Sequence, residues 1–170
     1  MPTKNVMILD TSILCVWLKV PGKETCGSGE ACIDFDHVDR EIKSAVDLHY
    51  TLVLPLASII ETGNHISQAP EYRFDRAQAL AQLMTQAADE TSPWAAFSDQ
   101  RDLWSAGGLR LLASQWPNLA AQKLSIGDAT ITQVADHYAK MGCNVEIYTG
   151  DTGLKKHHLA TTTPQPRRRK

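Results

Sequence analysis

The chain is predicted to fold as an α/β protein, a three-layer arrangement in which helices flank a central, mainly parallel sheet. Three observations predict it. Short runs of strand character alternate with longer stretches of helical period along the chain. Residues 6–9 (Val6, Met7, Ile8, Leu9) are apolar without a break, as in a parallel strand buried on both faces. Residues 127–141 carry Ile131, Val134, Ala135 and Tyr138 at i, i+3, i+4 and i+7, one face of an amphipathic helix.

The elements follow in order. After the first strand, residues 12–19 read as a short helix. Residues 21–35 hold Pro21, Gly22, Gly27, Gly29 and two cysteines, and read as a loop. Residues 36–49 are expected to be helical, with Val38, Ile42, Val46 and His49 on one face. Residues 51–54 give the second strand. A helix over 58–68 is opened by Ser58 and closed before Pro70. Another covers 73–88, where Phe74, Ala77, Leu80, Ala81 and Met84 recur at helical spacing. A brief strand over 94–97 and a helix over 98–115, weakened by Gly107 and Gly108, come next. Gly142 closes the 127–141 helix at the residue just past its end. Residues 145–149 are the last strand. One domain, residues 1–160, contains all of this. Residues 161–170 run through Thr and Pro into Arg167, Arg168, Arg169 and Lys170 and are expected to form a disordered basic tail. There is no internal repeat.

Composition narrows the class. With 43% hydrophobic and 21% charged residues over 170 positions, the chain can bury one full core and is neither fibrous nor unfolded. No apolar run approaches the ~18 residues of a membrane span, and the four apolar residues before Asp10 are too few for a signal-peptide core. A cytoplasmic location is expected. Cys15, Cys26, Cys32 and Cys143 lack CxxC spacing; Cys26, Cys32 and His37 would need a fourth ligand to hold zinc, so free thiols are the better reading. The net charge is −2, but without the last four residues 13 basic residues face 19 acidic ones, a net −6. Acid gathered in one cleft attracts a divalent cation, and a basic end attracts a polyanion or an acidic partner.

Four acids stand at element ends. Asp10 follows the first strand and Asp151 the last. Glu61 and Asp128 lie in the expected first turns of the 58–68 and 127–141 helices. In a parallel sheet these places open on the same edge, where ligands bind. Carboxylates suit Mg²⁺ or Mn²⁺, which lowers the pKa of a bound water and offsets charge on a phosphate. Four like charges brought together repel unless a cation separates them. Each acid also has a plainer reading. Ser58-Ile-Ile-Glu61 and Ser125-Ile-Gly-Asp128 have capping-box spacing, and Asp10 and Asp151 can cap the helices that follow them. Capping and metal binding are compatible, because a carboxylate has two oxygens.

Four segments carry a family resemblance: Val6-Met-Ile-Leu-Asp10-Thr-Ser-Ile-Leu14, Leu54-Pro-Leu-Ala-Ser-Ile-Ile-Glu61, Leu124-Ser-Ile-Gly-Asp128-Ala-Thr-Ile and Ile147-Tyr-Thr-Gly-Asp151. In order and spacing they resemble the PIN-domain ribonucleases over roughly residues 5–158. The resemblance implies a PIN-like fold, a Mg²⁺ or Mn²⁺ site at Asp10, Glu61, Asp128 and Asp151, and cleavage of RNA or single-stranded DNA. It implies that Ser12 and Thr149 supply hydroxyls orienting the acids or a metal-bound water. Small bacterial members of this kind act as toxins of toxin–antitoxin pairs or as defence effectors, which implies an antitoxin or defence-complex protein as partner and a homodimer. The cysteine-bearing insert, the strand-poor stretch 91–126 and the basic tail depart from the pattern.

Other residues are read more plainly. Asn64 shares a helix face with Glu61 and is a candidate to reach the site, with solvent exposure the plainer reading. Lys155, Lys156, His157 and His158 form a candidate lip for the RNA backbone, with a solvated surface as the alternative. Trp94, Trp104 and Trp116 are candidates for base stacking, with packing favoured. Besides a catalytic nuclease, a PIN-like subunit that binds or assembles without cutting is the second function class considered. A phosphatase using Asp10 would want an acid where Ser12 stands, and no G-x-G-x-x-G follows the first strand to suggest a dinucleotide site.

Overall fold

The computed structural model describes residues 2–162. Three strands, β1 (Asn5–Leu9), β2 (Thr51–Val53) and β3 (Asn144–Tyr148), form one parallel sheet in the order β2-β1-β3. Val6, Met7 and Ile8 pair with Thr51, Leu52 and Val53; Asn5 to Leu9 pair with Asn144 to Tyr148. The unbroken apolar run of β1 has the expected cause, since both faces of the strand are covered. Alternate side chains enter opposite cores. Met7 and Leu9 pack with Leu52, Leu54 and Tyr148 against α1 (Thr11–Trp17) and α2 (Phe35–Asp47). Val6 and Ile8 pack with Val53 and Ile147 against α6 (Ile126–Lys140). The chain is thus an α/β protein with helices on both faces of a parallel sheet.

Between Trp17 and Phe35 lies the expected loop, tied by a two-residue bridge in which Cys26 and Ile33 exchange backbone hydrogen bonds. On α2, Val38 and Ile42 are buried and Val46 half-buried, while His49 is exposed beyond the helix end with φ 60°. The helix α3 (Leu56–Gln68) begins two residues before Ser58. Ser58 is therefore not a cap: it is fully buried and donates to the Leu9 carbonyl at 2.9 Å, pinning α3 to the end of β1. On α4 (Arg73–Ala88), Leu80 is buried against α1 and α3, but Phe74 is 77% exposed, so the apolar stripe read there is only partly core.

The stretch after α4 departs most from expectation. The strand over 94–97 reduces to one bridge, Trp94 beside Leu52, and the helix over 98–115 is two elements. Phe97–Trp104 is 3₁₀-helical, and Gln100, buried within it, donates to the Leu54 carbonyl and accepts from the Leu56 amide. That side chain holds the corner between β2 and α3. Then α5 (Ala106–Ala121) starts afresh, capped by Ser105, whose hydroxyl accepts from the Gly108 amide. Gly108 belongs to this first turn because a Cβ there would meet the Leu103 carbonyl at 2.4 Å. The helix passes through Pro117, which removes one N–H without ending it. After β3, α7 (Thr152–Thr162) extends through Thr161 and Thr162, the first two residues of the expected disordered tail. Residues 163–170, including Arg167, Arg168 and Arg169, lie outside the described residues. Among those described, no helix is long and apolar enough to cross a membrane.

Candidate functional site

The parallel sheet brings the ends of β1 and β3 side by side, and the site grows from there. The Asp10 amide donates to the Tyr148 carbonyl, so Asp10 continues the ladder by one residue. It occupies the capping position of α1, yet its side chain caps nothing. Asp10 is 4% exposed, and a carboxylate so buried must be hydrogen-bonded. Its Oδ2 accepts from the Thr149 hydroxyl at 2.7 Å and the Ser12 hydroxyl at 2.9 Å. Each hydroxyl accepts in turn from a backbone amide, Thr149 from Asp151 and Ser12 from Gly150. Two amide–hydroxyl relays therefore fix this carboxylate and tie it to the segment bearing Asp151.

Glu61 lies in the second turn of α3, not the first, because the helix starts at Leu56. Its Oε2 accepts from the Thr11 hydroxyl at 2.9 Å. Its other oxygen lies against Gly127 at the start of α6, where a Cβ would come within 2.1 Å. Asp128 follows on α6. Ser125 caps that helix as expected, accepting from the Asp128 amide at 3.0 Å. Burial pushes the Asp128 pKa above the usual carboxylate range; hydrogen bonding to Ser125 opposes this, and the charges of Asp10 and Asp151 add to it. Asp151 caps α7 through Oδ1, which accepts from the amides of Gly153 and Leu154.

All four acids line one open cleft of about 550 Å³, together with Lys23, His65 and Lys123. As the side chains stand, no three His, Cys, Asp or Glu among the described residues come close enough to hold a metal ion, whether at the acids or at Cys26 and Cys32. No lysine closes on the acids either, since the ion pair found among the described residues is Lys43 with Asp39, on α2. Cys15 and Cys26 reach the cleft wall, where burial pushes the Cys15 thiol up to about 11 and raises that of Cys26.

The remaining expected residues scatter. Asn64 is exposed and does not line the cleft; His65 does. At 100° per residue, i+4 lies closer to the Glu61 direction than i+3. Lys155 and His158 face a different hollow beside β3, and Lys156 is exposed away from both. The side chain of His157 lies outside the described set, as do the three tail arginines. Trp94 is buried with its indole donating to Gln86, and Trp104 is 40% exposed. Thr11 was missed although it adjoins Asp10. Lys23 and Lys123 gave no signal, since each sits in a loop brought to the cleft only by folding.

Gly127→Ala separates site from fold. The new methyl meets the far end of a movable side chain, so stability should change by no more than about 1 kcal/mol, while Glu61 is pushed aside. Thermal unfolding should be nearly unaltered, and the Mn²⁺-induced rise in melting temperature should shrink. An unaltered Mn²⁺ response would detach Glu61 from the site.

Neither a scan of protein-family models nor searches of curated proteins and solved structures found a match to this chain.

Proposed function

We propose that this chain is a PIN-like, Mg²⁺- or Mn²⁺-dependent nuclease that hydrolyses phosphodiester bonds of RNA or single-stranded DNA. The observation that carries the reading is that four carboxylates from four separate elements line one cleft. Three of them are held by one oxygen each: Asp10 by hydroxyls, Glu61 by Thr11, Asp151 by amides. The second oxygen of each is not spent on these bonds. Hard oxygen donors of this kind suit Mg²⁺ or Mn²⁺, which Asp10, Glu61, Asp128 and Asp151 would hold. A divalent ion held there would lower the pKa of a water and offset charge at the phosphate. Hydroxyl and amide bonds behind the acids keep them oriented, as outer-shell partners do. Lys23 and Lys123 meet backbone phosphates at the mouth of the cleft. Drawing the four acids together would take a cation between them, because like charges repel.

The non-convergence of the acids, with two lysines nearby, also favours a second reading: a PIN-like subunit that binds nucleic acid without cutting it. Labelled single-stranded RNA and DNA incubated with Mn²⁺, and with chelator, separate the two. Cleavage abolished by chelator supports the nuclease; binding without cleavage supports the second. The toxin or defence role, with an antitoxin or defence-complex protein as partner and a homodimer as assembly, belongs to the same proposal. Growth arrest on induction, relieved by Asp10→Asn, would support it.

Burial of the Asp128 carboxyl, with the charges of Asp10 and Asp151 adding to it, gives a further expectation. The raised pKa of Asp128 means that folding disfavours its ionised form, so its stability contribution is full at low pH and lost as pH rises through the folded pKa. Asp128→Asn should therefore raise the melting temperature at neutral pH in chelator, by about 2 °C or more, and the gain should vanish near pH 3. The same variant should lose metal-dependent cleavage. A lower melting temperature at neutral pH would contradict the cost of holding Asp128 ionised in its half-buried place.

A further inference from the structure

The two edges of the sheet are treated differently. The outer edge of β2 is closed at Leu52, whose amide donates to the Pro93 carbonyl and whose carbonyl accepts from the Ala95 amide, both at 2.8 Å. The outer edge of β3 has no strand beside it among the described residues. The Asn144 amide and Tyr148 carbonyl bond towards β1, at Lys4 and Asp10. By alternation, the amides and carbonyls of Val145 and Ile147 point away from β1. An unpaired strand edge offers these amides and carbonyls to a further strand, and Ile147 is only 6% exposed as a residue.

That edge opens on a hollow of about 600 Å³. One wall is α2, through His37 and Glu41; the other is α6, through Ala135, Asp136 and Ala139. A single extended chain is what a slot between two helix layers admits. Tyr148 supplies an independent sign of a missing partner: it is 9% exposed, lines the slot, and its buried hydroxyl has no hydrogen-bond partner among the described residues. A buried hydroxyl left unpaired costs about 1–3 kcal/mol. Glu41, Asp136 and Glu146 face the slot against one lysine, Lys155. Glu146 shares the α2 side with Tyr148, because side chains alternate along β3. The small residues Ala135 and Ala139 lie on the other side.

We propose that the β3 edge takes up an extended, cationic segment of another protein chain as a fourth strand. Its lysines or arginines face Glu41 and Glu146, and its small apolar residues face Ala135 and Ala139. Main-chain pairing with Val145 and Ile147 supplies affinity and the side-chain rows supply selectivity. The inference is independent of the nuclease reading, since it uses none of the four acids.

A blocked peptide of alternating Lys and Val tests it on the full chain, by calorimetry or fluorescence anisotropy. Saturable binding is expected. Two control peptides, N-methylated at all Lys or at all Val, distinguish strand addition from charge attraction. One should bind at least tenfold more weakly and the other about as well, because only alternate amides face β3. Equal binding by both overturns the proposal, as does no binding at all. Val145→Pro removes an outward amide without touching the ladder to β1, and the combined Glu41→Gln and Glu146→Gln variant removes the charge; each should weaken binding about tenfold. Two outcomes assign other occupants and also overturn it. If peptide binds only after Arg167→Ser, Arg168→Ser and Arg169→Ser, the chain's own terminus fills the slot. If peptide converts a dimer to monomers, a second copy does.

Discussion

Asp10→Asn is expected to lower Mn²⁺-dependent cleavage by about 10³-fold or more, the scale seen when a group acting with the reaction centre is removed. The amide is nearly isosteric, and its carbonyl can still accept from Thr149 and Ser12, which now donate to the Asp10 carboxylate. What disappears is a negative charge on the most buried of the four acids. The fold should persist, with a melting temperature in chelator within about 3 °C of the parent. Single-turnover rates on labelled RNA, at saturating Mn²⁺, provide the measurement. A variant that cuts within tenfold of the parent rate would remove Asp10 from the mechanism and leave the cleft as a binding surface.

Ile8→Ala should produce the largest loss of stability. Ile8 is fully buried in the middle strand and packs with Val53, Ile131 and Ile147 on the α6 side of the sheet. Removing a branched side chain from such a place costs about 2–5 kcal/mol, transfer and residual cavity together. Against a typical stability of roughly 5–15 kcal/mol that is a large share. For a domain of this size it corresponds to a fall of about 4–20 °C in melting temperature. Leu48, 64% exposed after α2, is the matching control, and Leu48→Ala should change the melting temperature little. Equal effects at the two positions would contradict the two-faced core.

Local pattern was enough wherever one residue's neighbours in sequence decided its state. The run 6–9 announced a strand covered on both faces, and the period over 127–141 announced α6 to within a residue at each end. Ser125 capped that helix because the amide it satisfies lies three residues away. Ser58 defeated the same reasoning. It has the spacing of a cap, but Pro55 allows α3 to begin earlier, and burial against β1 gives its hydroxyl the Leu9 carbonyl instead. Gln100 is a second case, since its side chain bonds β2 and α3 more than forty residues away in sequence. Phe74 has core spacing but remains exposed, because periodicity assigns a face without saying whether anything covers it.

By itself the sequence determined the α/β class, the order of the elements outside residues 94–121 and the positions of Asp10, Glu61, Asp128 and Asp151 at or near element ends. Only the tertiary structure decided that these four share a cleft with Lys23, His65 and Lys123, that their side chains stand apart, and that, among the described residues, one sheet edge is covered and the other has no strand beside it. The physical reason is range. Propensity, capping and periodicity act over a few residues, whereas a cleft and a sheet edge are made by segments that meet only after the chain has closed on itself.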